Sequence, residues 1–107
     1  MNFMHSAVVL FALAFASCAP DPKVKITAYP ETVPSYGPSV ISWTSEDVTS
    51  CRVIVSDRGE VSRQTEGQRT IYWIKETVTA SVTCLGIVFL SNEQETVSDN
   101  VTITVQP

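Results

Sequence analysis

The chain has little of what catalytic and metal-binding sites are usually built from. Its 107 residues include one histidine, His5, and only four glycines, which lie far apart. His5 falls in an N-terminal segment that we expect to be removed, so the mature chain would have no imidazole for acid–base catalysis or metal binding. Because no glycine-rich phosphate-binding loop is present either, we predict no enzymatic activity, no metal or other cofactor, and no small-molecule substrate.

Runs of like charge are also lacking. The formal net charge is −4, from seven basic and eleven acidic residues, and all of these lie beyond Cys18. This mild, mixed charge argues against nucleic-acid binding, which needs a basic surface, and it gives no support to an electrostatic membrane anchor. The acidic pairs Glu46–Asp47 and Glu93/Glu95 fall in predicted turns, where carboxylates are usually solvated rather than catalytic.

The longest uncharged apolar run lies near the N-terminus. Residues 7–16 (AVVLFALAFA) are all apolar, but a membrane-spanning helix needs about 20 such residues. A run of this length followed by small residues is typical of a secretory signal peptide, although the segment before it carries no Lys or Arg. We therefore predict a signal peptide over residues 1–17 and export of the remaining chain.

Three cysteines are an odd number for an exported protein, because a disulfide uses two. Residues 15–18 (FASC) resemble a bacterial lipobox, in which the cysteine is lipidated and becomes the first mature residue, although Phe15 stands where leucine is preferred. Lipidation of Cys18 would account for the third sulfur. The alternative is cleavage after Ala16, which would release a soluble periplasmic or secreted protein with a free Cys18.

The resemblance to lipoproteins implies a membrane anchor through a lipid on Cys18. More than one acyl chain gives durable attachment, at about 0.8 kcal/mol per buried methylene. Ala19, rather than aspartate, after the cysteine favours the outer membrane, with the domain facing the periplasm or the cell surface. Residues 18–23 (CAPDPK) would then form a short, stiff tether, because each proline fixes its own φ and favours an extended residue before it.

Beyond the tether, apolar and polar residues alternate with a period of two, which predicts β-strands with one buried face. Residues 57–59 (DRG) are a strong turn signal, and no window shows helical spacing. Six or seven short strands over about 85 residues predict an all-β, antiparallel β-sandwich over residues 24–107. The alternation is seen in residues 24–29, 40–44, 51–55, 78–84 and 97–105. Residues 70–74 (TIYWI) are predicted to be a strand because they are β-branched and aromatic.

The other two cysteines fall on predicted inward-facing positions of two strands. Cys51 and Cys84 are 33 residues apart in the sequence. A bridge that closes a loop of this length stabilises a fold by roughly 3–4 kcal/mol on the chain-entropy model. Zinc is the rival use, but two lone cysteines without a nearby histidine do not complete a four-ligand site. We predict a Cys51–Cys84 disulfide.

Several segments resemble bacterial immunoglobulin-like (Ig-like) modules, and together they cover nearly all of residues 23–107. Trp43 precedes both cysteines, unlike the Cys–Trp–Cys order of antibody domains. The resemblance implies an Ig-like β-sandwich of about seven strands and no activity, since such modules act as spacers or as carbohydrate or protein binders. The matching segments are residues 24–33 (VKITAYPETV), 41–45 (ISWTS), 48–51 (VTSC), 82–84 (VTC) and 101–105 (VTITV).

Two segments hold more large apolar side chains than one buried face can use. In residues 71–74 (IYWI), Tyr72 and Trp73 either contribute to the core or to a surface covered by a loop, or they form an exposed aromatic anchor. Large aromatic residues are ordinarily buried, but Tyr and Trp are also enriched at interaction hot spots. Both interpretations are compatible with the sequence.

The second segment is residues 86–90 (GIVFL), which we expect to extend the preceding strand past a bulge at Gly86 into a hairpin. Alternate residues of that hairpin would face solvent, a partner or the membrane. Loops at the ends of such sandwiches commonly carry binding residues. The predicted partner-binding residues are therefore Ile87, Phe89 and Leu90, together with Tyr72 and Trp73.

A single Ig-like module on a lipid anchor predicts a small lipoprotein that binds another envelope protein, as an accessory or phage-related factor. One alternative is a structural subunit that packs into an envelope or secretion assembly through an edge strand. Another is a soluble secreted binding domain of the inhibitor type, if Cys18 is not lipidated.

Overall fold

The computed structural model describes residues 20–87 and 94–107. They form eight strands and no helix, which confirms the predicted all-β fold. None of these residues belongs to a helix long and apolar enough to cross a membrane. The strands are β1 (Lys23–Tyr29), β2 (Thr32–Pro34), β3 (Gly37–Glu46), β4 (Val48–Val55), β5 (Gly59–Ser62), β6 (Gly67–Ile74), β7 (Val78–Gly86) and β8 (Thr96–Gln106).

The strands form two sheets that pack as a sandwich, as predicted. One sheet has three strands in the order β1-β3-β6, and the other has five in the order β2-β8-β7-β4-β5. Neighbouring strands are antiparallel except for β2 and β8, which are parallel. The count is eight rather than about seven because β2 and β5 have only three and four residues, too few for an alternating pattern to be recognised.

Side chains from the inner faces of both sheets form one core. Its largest member is Trp43, which is 2% exposed and whose indole Nε1 donates a hydrogen bond to the backbone oxygen of Gln64 at 2.9 Å. Gly67 lies close to this ring, since a Cβ there would come within 3.2 Å of it. The other buried apolar residues are Ile26, Ala28, Val33, Ile41, Cys51, Val53, Val55, Ile71, Ile74, Val78, Ala80, Val82, Cys84 and Ile103.

Cys51 and Cys84 are joined by a disulfide, as predicted. They lie directly opposite each other on β4 and β7, with their Cα atoms 4.0 Å apart, so the bridge connects neighbouring strands of one sheet. Both residues are buried. The covalent bond therefore fixes the pairing of these two strands as well as closing the loop between them.

A carboxylate connects the two sheets along one side of the sandwich. Asp99 occupies an inward position of β8, and its Oδ2 accepts a hydrogen bond from the backbone N–H of Ile26 at 3.0 Å. Ile26 belongs to β1, the edge strand of the other sheet. This bond gives an amide of the edge strand a hydrogen-bond acceptor. It also connects the two sheets.

Candidate functional site

The sandwich has two ends, which the strand register defines. β3 runs from Gly37, which pairs with Ile74, to Glu46, which pairs with Lys23. Its ten residues separate the two ends by about 30 Å, at about 3.3 Å per residue. We call the Lys23 end, where the chain enters the domain, the entry end, and we call the Gly37 end the far end.

The entry end is held together by hydrogen bonds to Asp47. The N–H of Asp21 donates to Asp47 Oδ2 at 2.9 Å, and the N–H of Ile87 donates to the backbone oxygen of Asp47 at 3.0 Å. Gly86 lies against Pro22, since a Cβ there would come within 3.0 Å of the proline ring. β7 ends at Gly86, and Ile87, the first residue of the predicted continuation, is not part of a strand.

The predicted binding residues therefore do not form one surface. Ile87 is at the entry end, whereas Tyr72 and Trp73 are at the far end, next to Ile74. Phe89 and Leu90 lie outside the described residues. So do the predicted lipidation site at Cys18 and the predicted signal peptide over residues 1–17.

A bulge in β6 determines where Tyr72 and Trp73 point. Ile71 pairs with Ser39 and Ile74 pairs with Gly37, so two residues of β6 lie opposite the single residue Pro38 of β3. Such a bulge interrupts the alternation of a strand and redirects side chains. As a result Ile71 and Ile74 are both buried, while Tyr72 is 58% exposed and Trp73 is 71% exposed.

Two aromatic residues at the far end have a left-handed backbone. Trp73 has φ 58° and Tyr36 has φ 66°, and the N–H of Tyr36 donates to the backbone oxygen of Ile74 at 2.8 Å. The left-handed conformation costs residues other than glycine roughly 1–2 kcal/mol and is unusual for bulky side chains. Tyr36 is 54% exposed, so burial of its ring does not explain this cost.

A third exposed tyrosine lies near this end, on the outer face of the three-stranded sheet. Tyr29 is 83% exposed and pairs with Val40, which pairs in turn with Thr70 of β6. Two residues beyond Thr70 is Tyr72, on the same face. We call Tyr29, Tyr36, Tyr72 and Trp73 the aromatic patch.

Charged residues flank the patch in opposite pairs. Arg58 Nε and Nη2 donate to Asp57 Oδ1 and Oδ2 at 2.8 and 2.9 Å, and Arg58 Nη1 donates to the backbone oxygen of Tyr72 at 2.8 Å. The hydrogen bonds from Arg58 lower the pKa of the Asp57 carboxyl, and the carboxylate raises the pKa of Arg58. Lys75 and Glu76 line the same shallow concavity with Tyr72 and Trp73, so its formal charges cancel.

The outer face of the five-stranded sheet has a different character. Glu60 forms ion pairs with Arg63 and with Arg52, the latter with Nε 3.5 Å from Oε2. The hydrogen bond from Arg63, more than the charge of Arg52, lowers the pKa of Glu60. Exposed pairs of this kind contribute little to stability. The five strands of this sheet contain no aromatic residue. This face is therefore a weaker candidate for a binding site.

The described residues offer little reactive chemistry. Within residues 20–87 and 94–107, no group of three or more His, Cys, Asp or Glu side chains is arranged to hold a metal ion. Of the acidic pairs considered above, Asp47 accepts the amide of Asp21, which gives it a structural contact, while Glu93 lies outside the described residues. What the far end can provide is ring surface and hydrogen-bonding groups for noncovalent contact.

Sequence reasoning named two members of the aromatic patch and missed the others. Tyr29 follows Lys25 and Thr27 on the polar side of the β1 alternation, a signal that predicts its exposure. Tyr36 lies in a turn before Gly37, and the sequence contains no sign that the tyrosine rather than the glycine takes the left-handed conformation. The bond from Arg58 to Tyr72 joins the two sheets, so it depends on the tertiary fold.

The fold and the site together define a disulfide-bridged β-sandwich domain that carries an exposed aromatic patch at one end. Comparisons with protein-family models, with curated proteins and with solved structures found no match to the chain.

Proposed function

We propose that the protein is a non-catalytic, membrane-anchored Ig-like domain that binds another protein of the cell envelope through the aromatic patch. The anchor is a lipid on Cys18. The observation that carries this proposal is that Tyr36 and Trp73, two exposed aromatic residues, have a left-handed backbone at the end opposite to chain entry. Backbone strain of this kind is a common feature of functional sites.

The composition of the far end suits a protein partner. Tyr and Trp are among the residues most enriched at interaction hot spots, and Tyr36, Tyr72 and Trp73 supply both types. Aromatic side chains offer a large contact area with few rotatable bonds, so their ordering on binding costs little conformational entropy. The bulge and the turn already fix the backbone that carries them.

The charges near the patch favour an uncharged partner surface. Arg58 is neutralised by Asp57, and Lys75 and Glu76 carry opposite charges. A site without net charge gives little electrostatic attraction to an acidic or basic segment. We therefore expect the partner to present an apolar, uncharged loop, and its affinity to depend only weakly on salt.

The position of the anchor favours the far end over the predicted hairpin. Asp21 is attached to Asp47 at the entry end, only three residues after Cys18. A lipid on Cys18 would place the entry end, including Ile87, beside the membrane and the aromatic patch about 30 Å from it. Tyr72 and Trp73 are then better placed than Ile87 to meet a partner that stands away from the bilayer.

Site-specific photo-crosslinking in intact cells tests the binding site. A photoreactive residue in place of Glu76, which lines the concavity without belonging to the patch, should form one discrete adduct with an envelope protein. Trp73→Ala should remove this adduct. The matched control is Ile54→Ala, because Ile54 is an apolar residue 39% exposed on the other sheet, and this variant should leave the adduct unchanged.

Other outcomes would redirect the proposal. An adduct from a photoreactive residue in place of Glu95, near Gly86 at the entry end, but not from position 76 would move the binding site to the entry end. An adduct from position 76 that survives Trp73→Ala would remove the aromatic patch from the contact. The absence of any adduct from either position would contradict a binding function at these ends.

The anchor is tested separately by intact mass. The protein purified from membranes should begin at Cys18, be heavier than its polypeptide by diacylglycerol and acyl groups, and gain two hydrogens on reduction of the Cys51–Cys84 bridge. Cys18→Ala should release it from the membrane. A chain that begins at Ser17 with a free thiol would instead establish a soluble secreted domain.

A further inference from the structure

The peptide group between the two exposed residues of the bulge is held by a side chain from the opposite sheet. The backbone oxygen of Tyr72 belongs to the peptide plane that links Tyr72 to Trp73. Arg58 Nη1 donates to this oxygen at 2.8 Å, and Arg58 lies in the turn between β4 and β5 of the five-stranded sheet. The bond therefore crosses from one sheet to the other at the far end.

The geometry of Trp73 depends on that peptide plane. Because the peptide is planar, a rotation of its carbonyl changes ψ of Tyr72 and φ of Trp73 together. With φ at 58°, Trp73 is in a conformation that a bulky residue leaves readily for the extended region. Such a change would turn the Tyr72 oxygen away from Arg58 and would redirect the Trp73 ring.

Arg58 is itself held firmly in place. Two of its nitrogens donate to the two carboxylate oxygens of Asp57, and this bidentate geometry is the most directional ion pair that proteins use. Its backbone N–H donates to the oxygen of Val55 at 3.0 Å, and Gly59 completes the turn with φ 80°. The guanidinium is thus oriented toward β6 before any partner arrives.

We propose that the Asp57–Arg58 pair is a positioning clamp: it holds the Tyr72–Trp73 peptide plane so that Trp73 stays left-handed and the aromatic patch is preformed for its partner. This inference rests on the proposed function for its purpose, but the clamp can be measured without any partner. A preformed site avoids part of the ordering cost of binding, so loss of the clamp should weaken binding even though neither residue belongs to the patch.

The chain provides a matched control for the clamp. Arg69 Nη1 donates to the backbone oxygen of Val61 at 2.9 Å, which is also an arginine-to-carbonyl bond between β6 and the β5 region. It lies away from the bulge. Arg58→Lys and Arg69→Lys each keep the positive charge, remove the planar fork of donors and take an arginine partner from a backbone carbonyl. Arg58→Lys also breaks the bidentate contact with Asp57, which is part of the proposed clamp.

Nuclear magnetic resonance of the full, isotope-labelled chain gives two readouts at the bulge. The first is the indole N–H signal of Trp73, which is distinguished from that of Trp43 by a Trp73→Phe reference. The second is hydrogen exchange of the Tyr36 amide, which donates to Ile74 directly after the bulge. Arg58→Lys should shift the Trp73 signal and speed Tyr36 exchange about tenfold, with the Trp43 signal unchanged.

The controls decide between a clamp and general loosening. Arg69→Lys should leave both readouts at their original values, and Asp57→Asn should change them in the same direction as Arg58→Lys, by a smaller factor. Unchanged readouts in Arg58→Lys would overturn the clamp, and so would equal changes in Arg69→Lys. If the bulge loosens in Arg58→Lys but crosslinking from position 76 is undiminished, the clamp has no role in binding. If the unsubstituted protein gives no adduct, the proposed function fails instead.

Discussion

The entry end and the far end use the same backbone conformation with different residue types. At the entry end the left-handed residue is Asp47, with φ 56°, in the one-residue connection between β3 and β4. At the far end Tyr36 and Trp73 have φ values of 66° and 58°. Aspartate tolerates this conformation because its short side chain can bond locally, whereas aromatic residues gain nothing of that kind.

The difference separates a structural role at the entry end from the binding role proposed for the far end. Asp47 uses its side chain and its backbone oxygen to hold Asp21 and Ile87, so its unusual backbone serves the fold. The rings of Tyr36 and Trp73 are exposed, so under the proposed function their left-handed backbone presents the rings to the partner. A strained backbone that carries an exposed side chain is expected at sites where function is gained at the cost of stability.

The largest expected effect tests whether the two ends belong to one cooperative unit. Replacing both Cys51 and Cys84 with alanine should lower the free energy of unfolding by about 3–4 kcal/mol, because the bridge no longer restricts the unfolded chain. Denaturant unfolding measures this loss. Hydrogen exchange should show equal loss of protection at the buried residues Trp43, toward the entry end, and Ala80, toward the far end, since core amides of a small domain exchange when it unfolds as a whole. Loss at Trp43 alone would mean that the two ends open independently.

The parts of the molecule that could be predicted from sequence are those set by local alternation. The β7 segment shows a strict period of two, with Val78, Ala80, Val82 and Cys84 all buried, so its inner face and the position of Cys84 were predictable. Residues 71–74 are all large and apolar, so no alternation distinguishes their two faces.

The bulge itself comes from pairing with a distant segment. Pro38 lies opposite Tyr72 and Trp73 and has no backbone N–H to donate, and this partner is not visible in the β6 sequence. The contact of Arg58 with Tyr72 is similarly non-local, because it spans two sheets. For the same reason sequence reasoning placed Ile87 and Trp73 in one binding set, whereas the strand register places them at opposite ends.

Replacing Tyr36 tests whether its left-handed backbone carries strain that the left-handed backbone of Asp47 does not. Tyr36→Gly should raise the free energy of unfolding by up to about 1 kcal/mol. Relief of roughly 1–2 kcal/mol of left-handed strain is partly offset by the greater freedom of glycine in the unfolded chain. Denaturant unfolding measures the gain, and adduct formation from position 76 should fall in the same variant.

The matched control at the entry end has the opposite sign. Asp47→Gly keeps an acceptable left-handed residue but loses the carboxylate that accepts the Asp21 amide, and it should lower the free energy of unfolding by about 1 kcal/mol. If Tyr36→Gly destabilises the protein as much as Asp47→Gly does, the Tyr36 ring contributes packing to the fold, and the argument from strain is wrong.

The smallest expected effect is a loss of local stability at acidic pH. Arg58 lowers the pKa of Asp57 in the folded protein below the ordinary value of 3.8. The Asp57–Arg58 pair therefore contributes its stability fully above that value and loses it as the pH falls through the lowered pKa. For a pair at the surface this contribution is about 1 kcal/mol or less, so we expect local loosening rather than global unfolding.

This loosening should be confined to the far end. On acidification below pH 3.8, the Trp73 indole signal should shift and the Tyr36 amide should lose protection. The Ile87 amide should stay protected, because its acceptor is a backbone oxygen.

Asp57→Asn should abolish the transition, since it removes the titrating carboxylate. Glu76→Gln should preserve it, because Glu76 lines the same concavity while the Arg58 guanidinium bonds to Asp57 and to the Tyr72 oxygen. A transition that persists in Asp57→Asn would show that another group controls the bulge, and the two ends would then differ for a reason other than the clamp.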